Sequence, residues 1–114
     1  ASTNLTAWGA WTVTRTGWTD VGAPTVTGRY CRIRNIVFFQ INVVPATSVA
    51  TVAGTSYTDL PLTAAGSGGD GSMTNKTTLV AVGNVVIDVA NSRCYVPSQV
   101  ATGNTLAIAG WFEV

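Results

Sequence analysis

Residues that could move a proton or hold a metal are scarce in this sequence. It has no histidine, so the usual general base and the Ser-His arrangement for acyl transfer are missing. The acids are Asp20, Asp59, Asp70, Asp88 and Glu113, each in a separate segment. A glycosidase needs two carboxyl groups flanking one bond, and nothing in the spacing pairs any two. Metal patterns are equally thin, with no Cys-x-x-Cys, no histidine cluster and no acidic calcium loop. Gly68-Gly69-Asp70-Gly71 has the composition of a calcium loop but a single carboxylate, and reads as a flexible loop. Its glycines precede no helix, so they cradle no phosphate. No catalysis, metal or cofactor is expected.

Binding has better material. Four Trp, three Tyr and three Phe are many for 114 residues. Trp and Tyr offer a flat apolar face and a polar edge, which suits stacking on sugar rings beside polar hydrogen-bonding groups. Three pairs combine the two features: Trp18 with Asp20, Tyr57 with Asp59, and Tyr95 with Arg93. These six residues are the candidate glycan contacts. Trp8, Trp11, Phe38, Phe39, Trp111 and Phe112 read instead as core or subunit contact.

Charge narrows the partners. Only 10% of the residues are charged and the net charge is +1, so no field draws nucleic acid or an anionic membrane. No apolar run is long enough to span a bilayer as a helix. A surface this poor in charge tends to associate, and a homo-oligomer would bury it. Arg29, Arg32 and Arg34 cluster on one stretch. Tyr30, Arg32 and Arg34 form an alternating row that reads as outward, and as a possible subunit or ligand contact.

The elements that must position these groups are strands. Residues 30–44 are the spine, Tyr30-Cys31-Arg32-Ile33-Arg34 alternating and Ile36-Val37-Phe38-Phe39-Gln40-Ile41-Asn42-Val43-Val44 almost continuously apolar. The pattern predicts a hairpin turning at Arg34-Asn35, with Asn at the left-handed position and a second strand covered on both faces. Trp11-Thr12-Val13-Thr14-Arg15-Thr16 reads as one strand, with Trp11, Val13 and Arg15 on one side. Residues 18–24 read as a loop, Thr25-Val26-Thr27 as a short strand ended by Gly28, and residues 46–54 as a strand or an ordered loop. In residues 55–60, Tyr57 and Asp59 share a side. The Gly-rich residues 63–72 read as a mobile loop, or one shaped by a partner. Further strands are expected over 73–82, 85–89, 93–96 and 105–114, with turns at Gly83-Asn84 and Ala90-Asn91-Ser92 and a loop over 100–104. No helix period appears. About eight short strands with regular turn signals predict an all-β antiparallel sandwich, jelly-roll-like.

The length fits one domain: residues 1–8 read as a linker and 9–114 as the sandwich. No signal peptide pattern is present, and a domain cut from a longer protein is expected. Cys31 and Cys94 both alternate with apolar neighbours and are expected to face inward, either as buried thiols or as one disulfide.

The ordered motifs resemble the C-terminal β-sandwich domains of bacteriophage tail fibre and tailspike proteins. Gly9-Ala10-Trp11-Thr12-Val13-Thr14 is similar to their opening "G-x-W-T-P-T", with Val13 for the proline. Residues 26–39 resemble "Y-T-G-x-Y-x-x-I-G-N-x-V-x-F", with Val26 for Tyr and Arg34 for Gly. Leu60-Pro61-Leu62-Thr63-Ala64 is similar to "L-P-F-x-A", and Ile108-Ala109-Gly110-Trp111-Phe112 to the closing "I-S-G-W-Y". The resemblance implies a jelly-roll-like sandwich and a homotrimer that trimerises the fibre, binds host surface glycan, or both, without catalysis. It places the protein in the virion tail, assembled in the bacterial cytoplasm and acting outside it. A structural trimerisation cap without a ligand and a carbohydrate-binding module of a secreted enzyme are the alternatives.

Overall fold

Alternating β-branched and polar residues fold here into strands and nothing else. A computed structural model describes residues 7–66 and 68–114, and among them are twelve strands and no helix. In chain order they are β1 (Gly9–Trp11), β2 (Arg15–Thr16), β3 (Thr19–Val21), β4 (Thr25–Ile33), β5 (Ile36–Val44) and β6 (Ser48–Thr51). Then follow β7 (Tyr57–Asp59), β8 (Gly69–Asn75), β9 (Val80–Asp88), β10 (Arg93–Tyr95), β11 (Gln99–Thr102) and β12 (Leu106–Glu113). They make a nine-stranded sheet, β1-β4-β5-β12-β8-β9-β10-β7-β2, and a three-stranded sheet, β11-β6-β3, all antiparallel. The protein is an all-β sandwich. The expected linker falls outside the described residues as far as position 6.

The two ends of the large sheet are neighbours in sequence. β1 pairs with β4 at one edge and β2 with β7 at the other, so residues 9–16 are not one strand but a strap that joins both edges. The sheet therefore curls back on itself, which leaves fewer open edges for another chain to pair with. Asp59 fastens the joint. Its N–H donates to the Thr14 carbonyl (3.0 Å), and its Oδ1 accepts from the Thr14 N–H (2.9 Å) and the Trp11 indole N–H (3.3 Å).

Where β5 was expected to be covered on both faces, it alternates. Val37, Phe39, Ile41 and Val43 are buried, while Phe38, Asn42 and Val44 face solvent. The inward set meets Leu106, Ile108 and Phe112 of β12 and Met73 of β8 in one core. Trp11 stands edge-on to Phe39 at 6.3 Å between ring centroids, and Phe39 lies 5.9 Å from Phe112. The hairpin turn falls at Arg34-Asn35 as predicted, since Ile33 pairs with Ile36. It is Arg34, however, that takes the positive φ, at 55°. The non-glycyl strain there is steadied by the Arg32 Nε, which donates to the Arg34 carbonyl at 2.7 Å.

Glycines misled the strand boundaries. β4 runs straight through Gly28, where a Cβ would stand 2.5 Å from Val13 Cγ2 and 2.8 Å from Trp11 Cε3. The glycine is a close-approach site under the strap and ends nothing. The expected strand over 73–82 is in fact the end of β8, a turn with Leu79 at φ 61°, and the start of β9. Asn75 Oδ1 holds that turn by accepting from the N–H groups of Thr77 and Thr78 at 3.1 and 3.0 Å. β9 passes through the expected turn at Gly83-Asn84, and β8 takes up part of the loop expected over 63–72. Ser67 of that loop lies outside the described residues. β3 and β11 form where loops were expected and supply two of the three strands of the small sheet.

Candidate ligand-binding face

The six residues singled out as glycan contacts come together around β7. Tyr57 and Asp59 share the outer side of β7, opposite Tyr95 and Arg93 of β10. The Tyr57 and Tyr95 rings lie 5.1 Å apart, the Arg93 guanidinium sits 4.3 Å from the Tyr57 ring centre, and Arg93 Nη1 donates to the Tyr95 hydroxyl at 3.4 Å. That hydroxyl raises the Arg93 pKa further, so the guanidinium is a permanent cation. Trp18 donates its indole N–H to the Tyr57 carbonyl at 3.2 Å. Arg15 stacks on Trp18 (5.1 Å) and grips both carboxylate oxygens of Asp20 at 2.8 and 2.9 Å. The hydrogen bond from Arg15 holds the Asp20 carboxyl below the usual carboxylate range. Asp59 closes the strap. Each of the six therefore has a partner inside the chain.

The expected outward row lies on the inward side: the register puts Tyr30 opposite Phe39 and Arg32 opposite Val37, and Tyr30 packs against the core. Arg32 and Arg34 are exposed at the hairpin tip. Alternation had seemed to place Cys31 inside, but it stands opposite Phe38 on the outer side. Cys94 is buried as expected, and burial pushes its thiol pKa up to about 12. The two sulfurs do not form a disulfide.

A different surface collects aromatic and polar side chains that face solvent. It is the outer face of β4, β5, β12 and β8, and the register orders it in rows. One row across the sheet reads Cys31, Phe38, Trp111, Asp70. The next reads Arg29, Gln40, Ala109, Ser72 and, on β9, Asn84. A third reads Thr27, Asn42, Ala107, Thr74. The middle strand thus contributes two alanines, and the face sinks between taller neighbours.

Two adjoining depressions result. One, of about 340 Å³, has Arg29, Gln40 and Asn42 on one side and Ser72, Thr74 and Lys76 on the other. The second, of about 390 Å³, lies between Trp8, Phe38 and Trp111. These three aromatics, read from sequence as core or subunit contact, are 44%, 40% and 37% exposed and so lie outside the core. Trp8 is held by the Arg29 guanidinium 4.7 Å from its ring centre, and Arg29 donates through Nε and Nη2 to Gln40 Oε1 at 2.8 and 2.5 Å. Asp70 Oδ1 accepts the Gly71 N–H at 2.8 Å, which leaves its second oxygen available. Glycine makes the close packing beneath possible: a Cβ on Gly110 would meet the Asp70 carbonyl and stand 3.1 Å from Phe39 Cε1.

Among the described residues no three His, Cys, Asp or Glu side chains gather to hold a metal. What the face can do is stack on flat apolar surface and exchange hydrogen bonds with a hydroxyl-rich one. The sequence does carry its signal. Gln40 and Asn42 interrupt the apolar run at period two, and that parity assigns Phe38 to the polar side. No family model matches this chain, and neither does any curated protein or solved structure.

Proposed function

We propose that this chain is a non-catalytic receptor-binding domain of a phage tail fibre or tailspike-like protein, and that it holds host surface glycan on the outer face of β4, β5, β12 and β8. The observation that carries the reading is the exposed row of Trp8, Phe38 and Trp111 directly beside the polar side chains of Arg29, Gln40, Asn42 and Ser72. Sugar rings offer apolar C–H faces ringed by hydroxyls, and such a surface complements both. The ordered tail-fibre motifs support the same reading, and with it a homotrimer displayed on the virion tail.

A glycan array probed with the folded domain tests it. Binding to bacterial surface polysaccharide, weakened about tenfold by Trp111→Ala, is the expected result. Absence of binding by folded protein counts against it. The same exposed aromatics in a chain only 10% charged favour a second reading, in which copies of the chain cover this face and the domain is a trimerisation cap. Light scattering separates the two. A trimer that Phe38→Ala dissociates supports the cap. A monomer that binds glycan points to a carbohydrate-binding module instead.

A further inference from the structure

The two depressions on the outer face differ in charge. The polar one contains Arg29 and Lys76 and no carboxylate. The Arg29 guanidinium is fixed by the neutral carbonyl of Gln40 and by the Trp8 ring, so its charge is oriented and not neutralised. Lys76 has no ion pair, for the single salt bridge among the described residues joins Arg15 to Asp20. Beyond Trp111, by contrast, the surface offers Asp70 with Asn84 and Ser72. Along β8 the outward positions run Asp70, Ser72, Thr74 and then Lys76 just past the strand. Six residues at about 3.3 Å each separate the acid from the cation by about 20 Å.

Resting on the glycan reading above, we infer that the ligand is an acidic saccharide. Its carboxylate enters the depression lined by Arg29 and Lys76, and a neutral sugar stacks on Trp111 and Phe38 with hydroxyls donating to Asp70. Either cation can form charge-assisted hydrogen bonds to a carboxylate that enters this groove. Arg29 keeps its Nη1 for this contact, because Gln40 takes Nε and Nη2. Asp70, about 20 Å along β8 from Lys76, fixes the polarity of the bound chain. It also disfavours a densely charged polymer, since an anion on every sugar would meet Asp70. Sparse carboxylates among neutral sugars fit both ends, and a heavily sulfated chain does not.

The test is calorimetric titration of the folded chain with uronic-acid oligosaccharides, with the same oligosaccharides after reduction of their carboxyl groups, and with sulfated ones. The acid form is expected to bind about tenfold more tightly than the reduced form. That advantage should shrink as salt rises, because the contact is partly exposed. Lys76→Gln should remove most of it, while Lys76→Arg should retain it. Equal binding of acid and reduced forms, preference for the sulfated chains, or indifference to Lys76→Gln each overturns the inference. If neutral saccharides bind through Trp111 without preference for acid, the inference falls and the glycan-binding reading stands. If no saccharide of any class binds, both fall.

Discussion

Two regions of this molecule are built from the same kinds of residue and use them in opposite ways. Around β7, two tyrosines, a tryptophan, two arginines and two aspartates are turned on one another. Arg15 lies on Trp18 and grips Asp20, Arg93 lies on Tyr57 and bonds to Tyr95, and Asp59 serves Trp11 and Thr14. On the outer face of β4, β5, β12 and β8, Trp8, Phe38, Trp111, Asn42 and Lys76 face solvent above a floor of alanines. The first cluster closes the sheet. The second leaves its capacity for stacking and hydrogen bonding to be met from outside. Aromatic and charged residue types therefore do not mark a binding surface by themselves, and whether the fold has already satisfied them decides.

The largest test of this contrast is the packing under the outer face. Gly110→Val places branched carbon against the Asp70 backbone and the Phe39 ring. Overpacking of this kind costs about 3 kcal/mol or more where backbone has to move. Thermal unfolding should show a large fall in melting temperature or no folded protein at all. A variant that melts like the parent would mean that β8 and β12 do not pack as described.

Next comes the joint. Asp59→Ala leaves the Trp11 indole N–H and the Thr14 N–H without their acceptor, at a cost of about 1–3 kcal/mol. Denaturant unfolding measures it. Glycan affinity should not change beyond what loss of folded protein explains. If Asp59→Ala abolishes binding at full stability, the cluster around β7 is the ligand site and the assignment of the two regions is reversed.

The alkaline limb separates a buried group from the exposed faces. Cys94 has a thiol pKa of about 12 when folded against 9.0 ordinarily, because burial disfavours the thiolate. The native state then holds its proton where the unfolded state releases it, and stability falls as pH rises from about 9 toward 12, by at most about 1.4 kcal/mol per unit. Cys94→Ala should flatten this limb, and a limb of unchanged slope would refute the assignment. Burial and the raised pKa keep Cys94 a protonated, inaccessible thiol near pH 8, so alkylating reagents should spare it until the protein unfolds.

A paired substitution addresses the two faces directly. Trp111→Ala should weaken glycan binding about tenfold, a loss read on protein shown to be folded, because the ring is only 37% exposed and also packs against the sheet. Tyr95→Ala should instead lose about 1 kcal/mol of stability with its ring contact to Tyr57 and leave affinity intact. If both variants lose affinity equally, the faces do not differ in function.

Much of the architecture was legible from the sequence. The all-β class, the hairpin at Arg34-Asn35, the shared side of Tyr57 and Asp59, and the strand near residues 93–95 follow from alternation and turn residues alone. Gly28, Gly69, Gly71 and Gly83 were not readable, because a glycine that admits a neighbour's side chain looks in sequence like one that makes a turn. Only the partner strand distinguishes them: Ile87 over Gly69 and Val85 over Gly71 explain why β8 begins where a loop was expected. The outer face was missed for another reason. Phe38-Phe39 and Trp111-Phe112 each place one aromatic inside and one outside, and residue type alone reads all four as core or subunit contact. Period two resolves them, provided that Gln40 and Asn42 are allowed to set the parity.

The smallest expected effect belongs to the Arg15–Asp20 pair. Its bidentate geometry, 2.8 and 2.9 Å, is good, but the side chains are 15% and 28% exposed. Ion pairs near the surface contribute about 0–1 kcal/mol, so Asp20→Asn should cost that much and no more. The sign with pH follows from the lowered Asp20 pKa. The contribution is complete above the ordinary value of 3.8 and is lost as pH falls through the lower folded value. The parent and Asp20→Asn should therefore differ in melting temperature at pH 7 and converge in acid. Arg15 also covers Trp18, so Arg15→Ala should cost more than Asp20→Asn, with the excess independent of pH. Equal costs would mean that the stacking on Trp18 contributes nothing, and that the cluster around β7 is held by its hydrogen bonds alone.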